Sequence, residues 1–75
     1  MDFSKVFEQK VREEMDKQGF TVKTLSSVSG VSEYILKKII KGEYKTIRAT
    51  VLVKICRTLK ISVDAIYAEA IRSMT

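Results

Sequence analysis

Several residue types are missing or rare in this 75-residue sequence, and each absence excludes a class of function. There is no histidine, which removes the commonest metal ligand and general base. No P-loop, GxGxxG motif or clustered metal-ligand spacing occurs either. The single cysteine, Cys56, lies in an apolar-periodic segment, which predicts a buried core residue and leaves a reactive thiol as the alternative. We therefore expect no enzyme, no cofactor and no metal site.

The sequence also lacks long apolar runs. No segment approaches the length needed to span a membrane, and the first ten residues lack the apolar core of a signal peptide. The hydrophobic fraction of 45% and the charged fraction of 31% are typical of a soluble globular protein. We expect residues 1–75 to form one small domain located in the cytoplasm.

Proline is absent, and the apolar residues recur at spacings of three and four, which predicts helices throughout. Asp2 and Ser62 are the predicted N-caps of the first and last helices. The five predicted helices cover residues 3–17, 22–29, 33–41, 47 or 48 to 59, and a segment that begins after residue 62.

One apolar stripe on each helix is predicted to contribute to a common core. Phe20, Leu25 and Val31 are expected to join this core from the short second helix and its flanking turns. The other predicted core residues are Phe3, Val6, Phe7, Val11, Met15, Leu36, Ile39, Val51, Leu52, Ile55, Cys56, Leu59, Val63, Ile66, Tyr67, Ala70, Ile71 and Met74.

The residues from Thr21 to Gly42 predict two short helices joined by a tight turn. Thr21 and Ser32 are suited to cap the two helices, and Gly30 supplies the turn, where a side chain would strain the backbone. Gly42 ends the second helix of the pair. This spacing is typical of a DNA-reading helix-turn-helix, in which the first helix braces the second against a groove.

Basic residues are concentrated in the middle of the chain. Residues 21–60 contain nine lysines and arginines and two acidic residues, a net charge of +7, whereas residues 1–20 and 61–75 each have a net charge of −1. The excess coincides with the helix-turn-helix and the segment after it, where phosphate contacts would lie. Taken alone, the charge also fits a solvated lysine face.

A set of glycines, small residues and apolar residues has a characteristic spacing from the end of the first helix into the fifth. These residues are Gly19-Phe20-Thr21, Leu25-Ser26, Ser29-Gly30-Val31-Ser32, Leu36, Ile39, Gly42, Leu52-Val53-Lys54-Ile55-Cys56, Leu59 and Ile61-Ser62-Val63-Asp64-Ala65-Ile66. With these residues the chain resembles the phage-repressor or Cro-like helix-turn-helix family over about residues 11–67. The resemblance implies an all-α, compact five-helix, lambda-repressor-like domain with the helix-turn-helix at helices 2 and 3. It also implies a prokaryotic or phage regulator of transcription that binds double-stranded DNA at the nucleoid.

The resemblance assigns the third helix to the major groove as the recognition helix. Ser32, Glu33, Tyr34 and Lys37 would present side chains to base edges, and Lys38 would contact a phosphate or a base at the groove edge. Lys41 adds to a lysine cluster in which a phosphate contact is expected. The DNA backbone would be contacted by Thr21, Val22 and Lys23 on one side and by Lys45 and Arg48 on the other.

Four residues depart from the family pattern. Val22 replaces a glutamine that usually holds the second helix to a phosphate, and Glu33 is an acid where polar or basic readers are common. Ile35 and Ile40 occupy positions that are usually polar. Glu33 could accept from a cytosine amino group and Ile35 could touch a thymine methyl. The alternative function is therefore a protein-binding modulator or antirepressor that grips a partner regulator with Val22, Ile35 and Ile40.

Family members usually form dimers that read two half-sites about one helical turn apart. The fifth helix and the C-terminal tail are the candidate homodimer surface, with Tyr67, Ile71 and Met74 as its apolar contacts. The alternative is that these three residues only close the core of the monomer.

Two tyrosines are further candidates for DNA contact. Tyr34 either contacts a base or a phosphate through its hydroxyl or is a partly buried aromatic residue. Tyr44 is a weaker candidate for a phosphate contact.

Overall fold

The computed structural model describes residues 3–44 and 46–74, with the backbone alone for residues 73 and 74. Within this part of the chain the structure is all-α, as predicted, and contains no strand. The five helices that it shows are α1 (Phe3–Gln18), α2 (Val22–Ser29), α3 (Glu33–Lys41), α4 (Ala49–Leu59) and α5 (Val63–Met74).

The starts of the helices are set by short-range hydrogen bonds, which is why most of them were predictable. The Thr24 amide donates to the Thr21 hydroxyl over 3.1 Å, and the Thr21 amide donates to Thr24 Oγ1 over 2.8 Å. Ser32 Oγ accepts from the Ile35 amide, and Ser62 Oγ accepts from the Ala65 amide. These three N-caps are confirmed, whereas the fourth predicted cap, Asp2, lies outside the described residues.

The start of α4 differs from the prediction. The helix begins at Ala49 instead of residue 47 or 48, because Arg48 has an extended backbone, with φ −68° and ψ 143°. Arg48 is therefore the N-cap of α4, but its side chain makes no capping hydrogen bond. Arginine has no acceptor to offer a free amide, so the sequence carries no cap signal at this boundary.

Left-handed glycines end the two helices of the helix-turn-helix. Gly30, with φ +80°, closes α2, and its amide donates to the Ser26 carbonyl over 3.0 Å. Gly42, with φ +73°, closes α3. A side chain at either position would strain the backbone, because L-residues disfavour positive φ. The turn predicted at Gly30 and the helix end predicted at Gly42 are both confirmed.

The core forms where α1 packs against α3, α4 and α5 while α2 packs against α3 and α4. Cys56 is 5% exposed and belongs to the core, as predicted, and its burial raises the pKa of the thiol, which disfavours the reactive thiolate. Half-buried side chains surround the core, among them Phe3, Phe20, Val51 and Leu52. The buried apolar residues are Val6, Phe7, Val11, Met15, Leu25, Val31, Leu36, Ile39, Ile55, Cys56, Leu59, Ile66 and Ala70.

Two predicted core residues on α5 are exposed. Tyr67 retains 51% of its accessible surface and Ile71 retains 61%, so their assignment to the core was wrong. Each directly follows a buried residue, Ile66 or Ala70, and successive residues are rotated by about 100° around a helix. The buried stripe of α5 is therefore narrower than its apolar stripe. The side chain of Met74 lies outside the described residues.

A buried carboxylate, which no sequence pattern predicts, lies beside the end of α3. Glu8 on α1 is only 9% exposed, and its Oε1 lies 3.7 Å from Arg12 Nη2. A Cβ built on Gly42 would lie 3.0 Å from Glu8 Oε2. The carboxylate therefore fills the space beside the turn that ends α3.

Replacing Gly42 with alanine is expected to destabilise the protein more than replacing Gly30. Both changes force a Cβ into the left-handed region, which costs about 1–2 kcal/mol. At Gly30 the new Cβ meets open space, whereas at Gly42 it lies 3.0 Å from Glu8 Oε2, and the buried carboxylate must shift by a few tenths of an ångström. Urea unfolding of the two variants measures the difference. Adding Glu8→Ala should remove the extra penalty of Gly42→Ala, and equal unfolding free energies for the two single variants would contradict the prediction.

Candidate nucleic-acid interface

The helix α3 has one buried face and one exposed face. Leu36 is fully buried and Ile39 is 2% exposed, and together they attach the helix to the core. The opposite face carries Glu33, Tyr34 and Lys37, which are all exposed. The exposed face begins at the N-terminal end of the helix, immediately after the cap residue Ser32. An outward orientation is predicted for these three side chains and for Lys38 and Lys41. It is confirmed for all of them except Lys38, which is half-buried.

The helix α2 packs against both α3 and α4, and so braces α3 from behind. Leu25 of α2 is fully buried, and Val31, in the turn between the helices, is 4% exposed. These two apolar anchors fix the position of α3 relative to α2. Thr21 and Lys23, at the start of α2, are exposed to solvent. The hydroxyl and the backbone amide of Thr21 are both hydrogen-bonded to Thr24 in the N-cap.

An open groove of about 570 Å³ separates α3 from the loop that leads into α4. Ile35 and Lys38 line it from α3, while Thr46, Arg48 and Thr50 line it from the opposite side. The fold therefore brings Lys38 and Arg48 to the same groove, although they are ten positions apart in the sequence. Lys45, which was assigned to the same region, lies outside the described residues.

The lysines of the exposed face keep their positive charge available. Two ion pairs lie on α1, where Arg12 pairs with Glu8 at 3.7 Å and Lys10 pairs with Glu69 of α5 at 3.6 Å. Lys37 and Lys41 are exposed and have no carboxylate partner among residues 3–44 and 46–74. An exposed helix face whose lysines are not paired with carboxylates attracts polyanions.

The family model for the Cro/C1-type HTH DNA-binding domain matches residues 10–67, which is more than half of the chain. The chain belongs to this family. It is accordingly a DNA-binding regulator of transcription. The match runs from α1 to Tyr67 in α5 and includes the whole helix-turn-helix. No curated protein and no solved structure shows a significant match to the chain.

Within this Cro/C1-type domain, Tyr34 and Lys38 form a contact that sequence reasoning missed. The Lys38 ammonium lies 4.9 Å from the centroid of the Tyr34 ring. The polar interaction with the Tyr34 side chain is the main cause of a raised pKa for Lys38, and Glu43 adds a smaller effect in the same direction. The spacing of four positions, which places side chains side by side on a helix, is the signal that could have revealed this pair. Tyr34 itself is 67% exposed, which excludes the partly buried alternative.

The second tyrosine considered for DNA contact has a structural role in the domain. The Tyr44 hydroxyl donates to the Ser4 carbonyl over 2.6 Å, and the ring is half-buried against the core. This bond ties the loop after α3 to the first turn of α1. Because its proton is used within the fold, Tyr44 is a poor phosphate donor.

The apolar departures from the family pattern do not form one exposed surface. Ile35 is 38% exposed, whereas Val22 and Ile40 are half-buried and pack against the core. The exposed apolar patch that the protein-binding alternative requires is thereby reduced to Ile35.

In the described part of the domain, no helix is long and apolar enough to cross a membrane.

Proposed function

We propose that this protein is a sequence-specific regulator, of prokaryotic or phage type, that inserts α3 into the major groove of double-stranded DNA. The observation that supports this most directly is the exposed N-terminal face of α3, with Glu33, Tyr34 and Lys37, held out by the buried Leu36. In helix-turn-helix proteins the N-terminal residues of the second helix contact base edges. Ser32 belongs to the same reading face, since its hydroxyl retains a proton to donate to DNA.

Phosphate contacts would flank this reading face. Lys23 and Thr21 at the start of α2 would face one strand, while Arg48 and Lys45 would face the other. Lys38 and Lys41 would lie between them along α3. If about five basic side chains neutralise phosphates, the logarithm of the affinity should fall against the logarithm of the salt concentration with a slope of roughly −4 to −5.

A binding titration of the purified protein tests this proposal. The probe is duplex DNA from beside its own coding region, measured at two salt concentrations with an excess of unrelated duplex. We expect tight, salt-dependent binding that resists the competitor. Weak binding that any duplex displaces equally would contradict sequence-specific regulation, and would redirect attention to the protein-binding modulator.

A homodimer is the proposed binding form, because a single module of this size gives limited specificity. Tyr67 and Ile71 project from α5 as exposed apolar residues, and Tyr67 borders a depression that Phe3 and Leu52 also line. A second copy that covers this surface would present two recognition helices to half-sites about one DNA turn apart.

Replacing Ile71 with aspartate is expected to shift the protein to a monomer and weaken binding to a two-half-site duplex. A charge placed in an apolar contact is costly to desolvate. Sedimentation velocity measures the mass in solution, and the titration above measures the affinity. Val28→Asp is the matched control, because Val28 is 66% exposed on α2, outside this surface. A dimeric Ile71→Asp variant would contradict the proposed surface.

A further inference from the structure

Tyr34 is a large aromatic side chain that the fold does not bury. It retains 67% of its accessible surface, although it lies one helical turn before Lys38 on α3. It makes one described contact of note, in which the Lys38 ammonium lies 4.9 Å from the ring centroid. That distance is within the roughly 6 Å over which a cation is attracted to an aromatic face. Such a contact favours the Lys38 rotamer that keeps the ammonium over the ring.

The position of Lys38 makes this contact relevant to DNA binding. Lys38 is half-buried, whereas Lys37 and Lys41 on the same helix are exposed. Its side chain lines the groove between α3 and the start of α4, together with Arg48. Glu43 lines the same groove and offers the ammonium a competing partner. In the structure the Lys38 ammonium lies over the ring of the exposed Tyr34.

We propose that Tyr34 is a positioning residue, which holds the Lys38 ammonium ready for DNA instead of reading a base through its own hydroxyl. The inference rests on the proposed function, in which the exposed face of α3 meets DNA. Lys38 is then the residue that contacts DNA, and Tyr34 increases the affinity only by positioning Lys38.

A double-mutant cycle separates the two roles of Tyr34. The variants are Tyr34→Leu, Lys38→Met and the combination, with Tyr34→Phe as the conservative variant that keeps the ring. Affinity for the duplex selected in the titration is measured by fluorescence anisotropy at fixed salt. Tyr34→Leu should weaken binding by about two- to five-fold, the range expected for an exposed cation–π contact. Tyr34→Phe should keep most of the affinity, and Tyr34→Leu should have no effect in the Lys38→Met background.

Three results of the cycle would overturn the inference. An equal loss from Tyr34→Leu in both backgrounds would show that Tyr34 contacts DNA directly. A loss from Tyr34→Phe as large as that from Tyr34→Leu would show that the hydroxyl is required. No loss from Tyr34→Leu would show that the ring does not contribute. The salt slope should be the same for Tyr34→Leu and the wild type, because the charge of Lys38 is retained.

A measurement on the free protein tests the pairing without DNA. Ring currents should move the ε-methylene protons of Lys38 upfield relative to those of Lys37 in the wild type and in Tyr34→Phe, and not in Tyr34→Leu. Absence of this shift would overturn the inference whether or not the protein binds DNA. If the shift is present but the wild type shows no competitor-resistant binding, the proposed function is contradicted. The role of Tyr34 and Lys38 in DNA binding is then contradicted as well.

Discussion

Lys37→Glu is expected to lower the affinity for the specific duplex by about 10- to 100-fold at 0.1 M salt, without unfolding the protein. Lys37 is exposed on α3 and has no carboxylate partner among the described residues. One lysine–phosphate contact contributes about tenfold at this salt concentration, because roughly one counterion is released per phosphate. Charge reversal replaces that attraction with a repulsion. The titration measures the affinity, and circular dichroism checks the fold.

Lys10→Glu is the matched control for this prediction, because it changes the net charge by the same amount. Lys10 lies on α1 and pairs with Glu69 on α5, away from the exposed face of α3. A surface ion pair of this kind contributes at most about 1 kcal/mol to stability. We expect a small loss of affinity and a nearly unchanged salt slope. Equal effects of the two reversals would mean that net charge alone drives binding, which would contradict α3 as the binding element.

Leu36→Ala is expected to lower the free energy of unfolding by about 2–5 kcal/mol. Leu36 is fully buried and holds α3 on the core, so its removal leaves a cavity beneath the proposed recognition helix. A domain of this size is typically stable by about 4–11 kcal/mol, so a large part of its stability would be lost. Urea unfolding followed by circular dichroism gives the value. DNA binding should weaken in proportion to the unfolded fraction and recover as the temperature is lowered toward the stability maximum.

The adjacent Ile35→Ala variant is the control for burial. Ile35 is 38% exposed and lines the groove instead of the core. Its truncation should cost about 1 kcal/mol or less, since part of the side chain is already in water. A cost for Ile35→Ala that equals the cost for Leu36→Ala would contradict the orientation of α3.

The positions of the helices were largely predictable because their ends depend on short-range chemistry. The caps at Thr21, Ser32 and Ser62 act over three residues, so they are recognisable in any chain that folds as helices. The start of α4 was not predictable to the residue, because Arg48 caps it without a side-chain acceptor.

Burial at the edges of the helices could not be predicted as well. Tyr67 and Ile71 continue an apolar stripe but remain exposed, although the Tyr67 ring lies 4.5 Å from the ring of Phe3 on α1. Val22 and Ile40 look like an exposed apolar surface in sequence, yet they pack partly against the core. Periodicity gives the direction in which a side chain points, and only the neighbouring elements determine whether anything meets it there.

At the candidate site, the sequence pattern alone predicted the exposed face of α3 and the concentration of positive charge around it. These follow from the helical repeat, the local caps and the residue types, all of which act over a few positions. The groove that joins Lys38 to Arg48, the Glu8 carboxylate beside Gly42 and the bond from Tyr44 to Ser4 all depend on packing. The residues in the last two contacts are 34 to 40 positions apart in the chain, and no local pattern specifies such distances. The arrangement of α1 against the loop after α3 was therefore decided by how the helices close around one core.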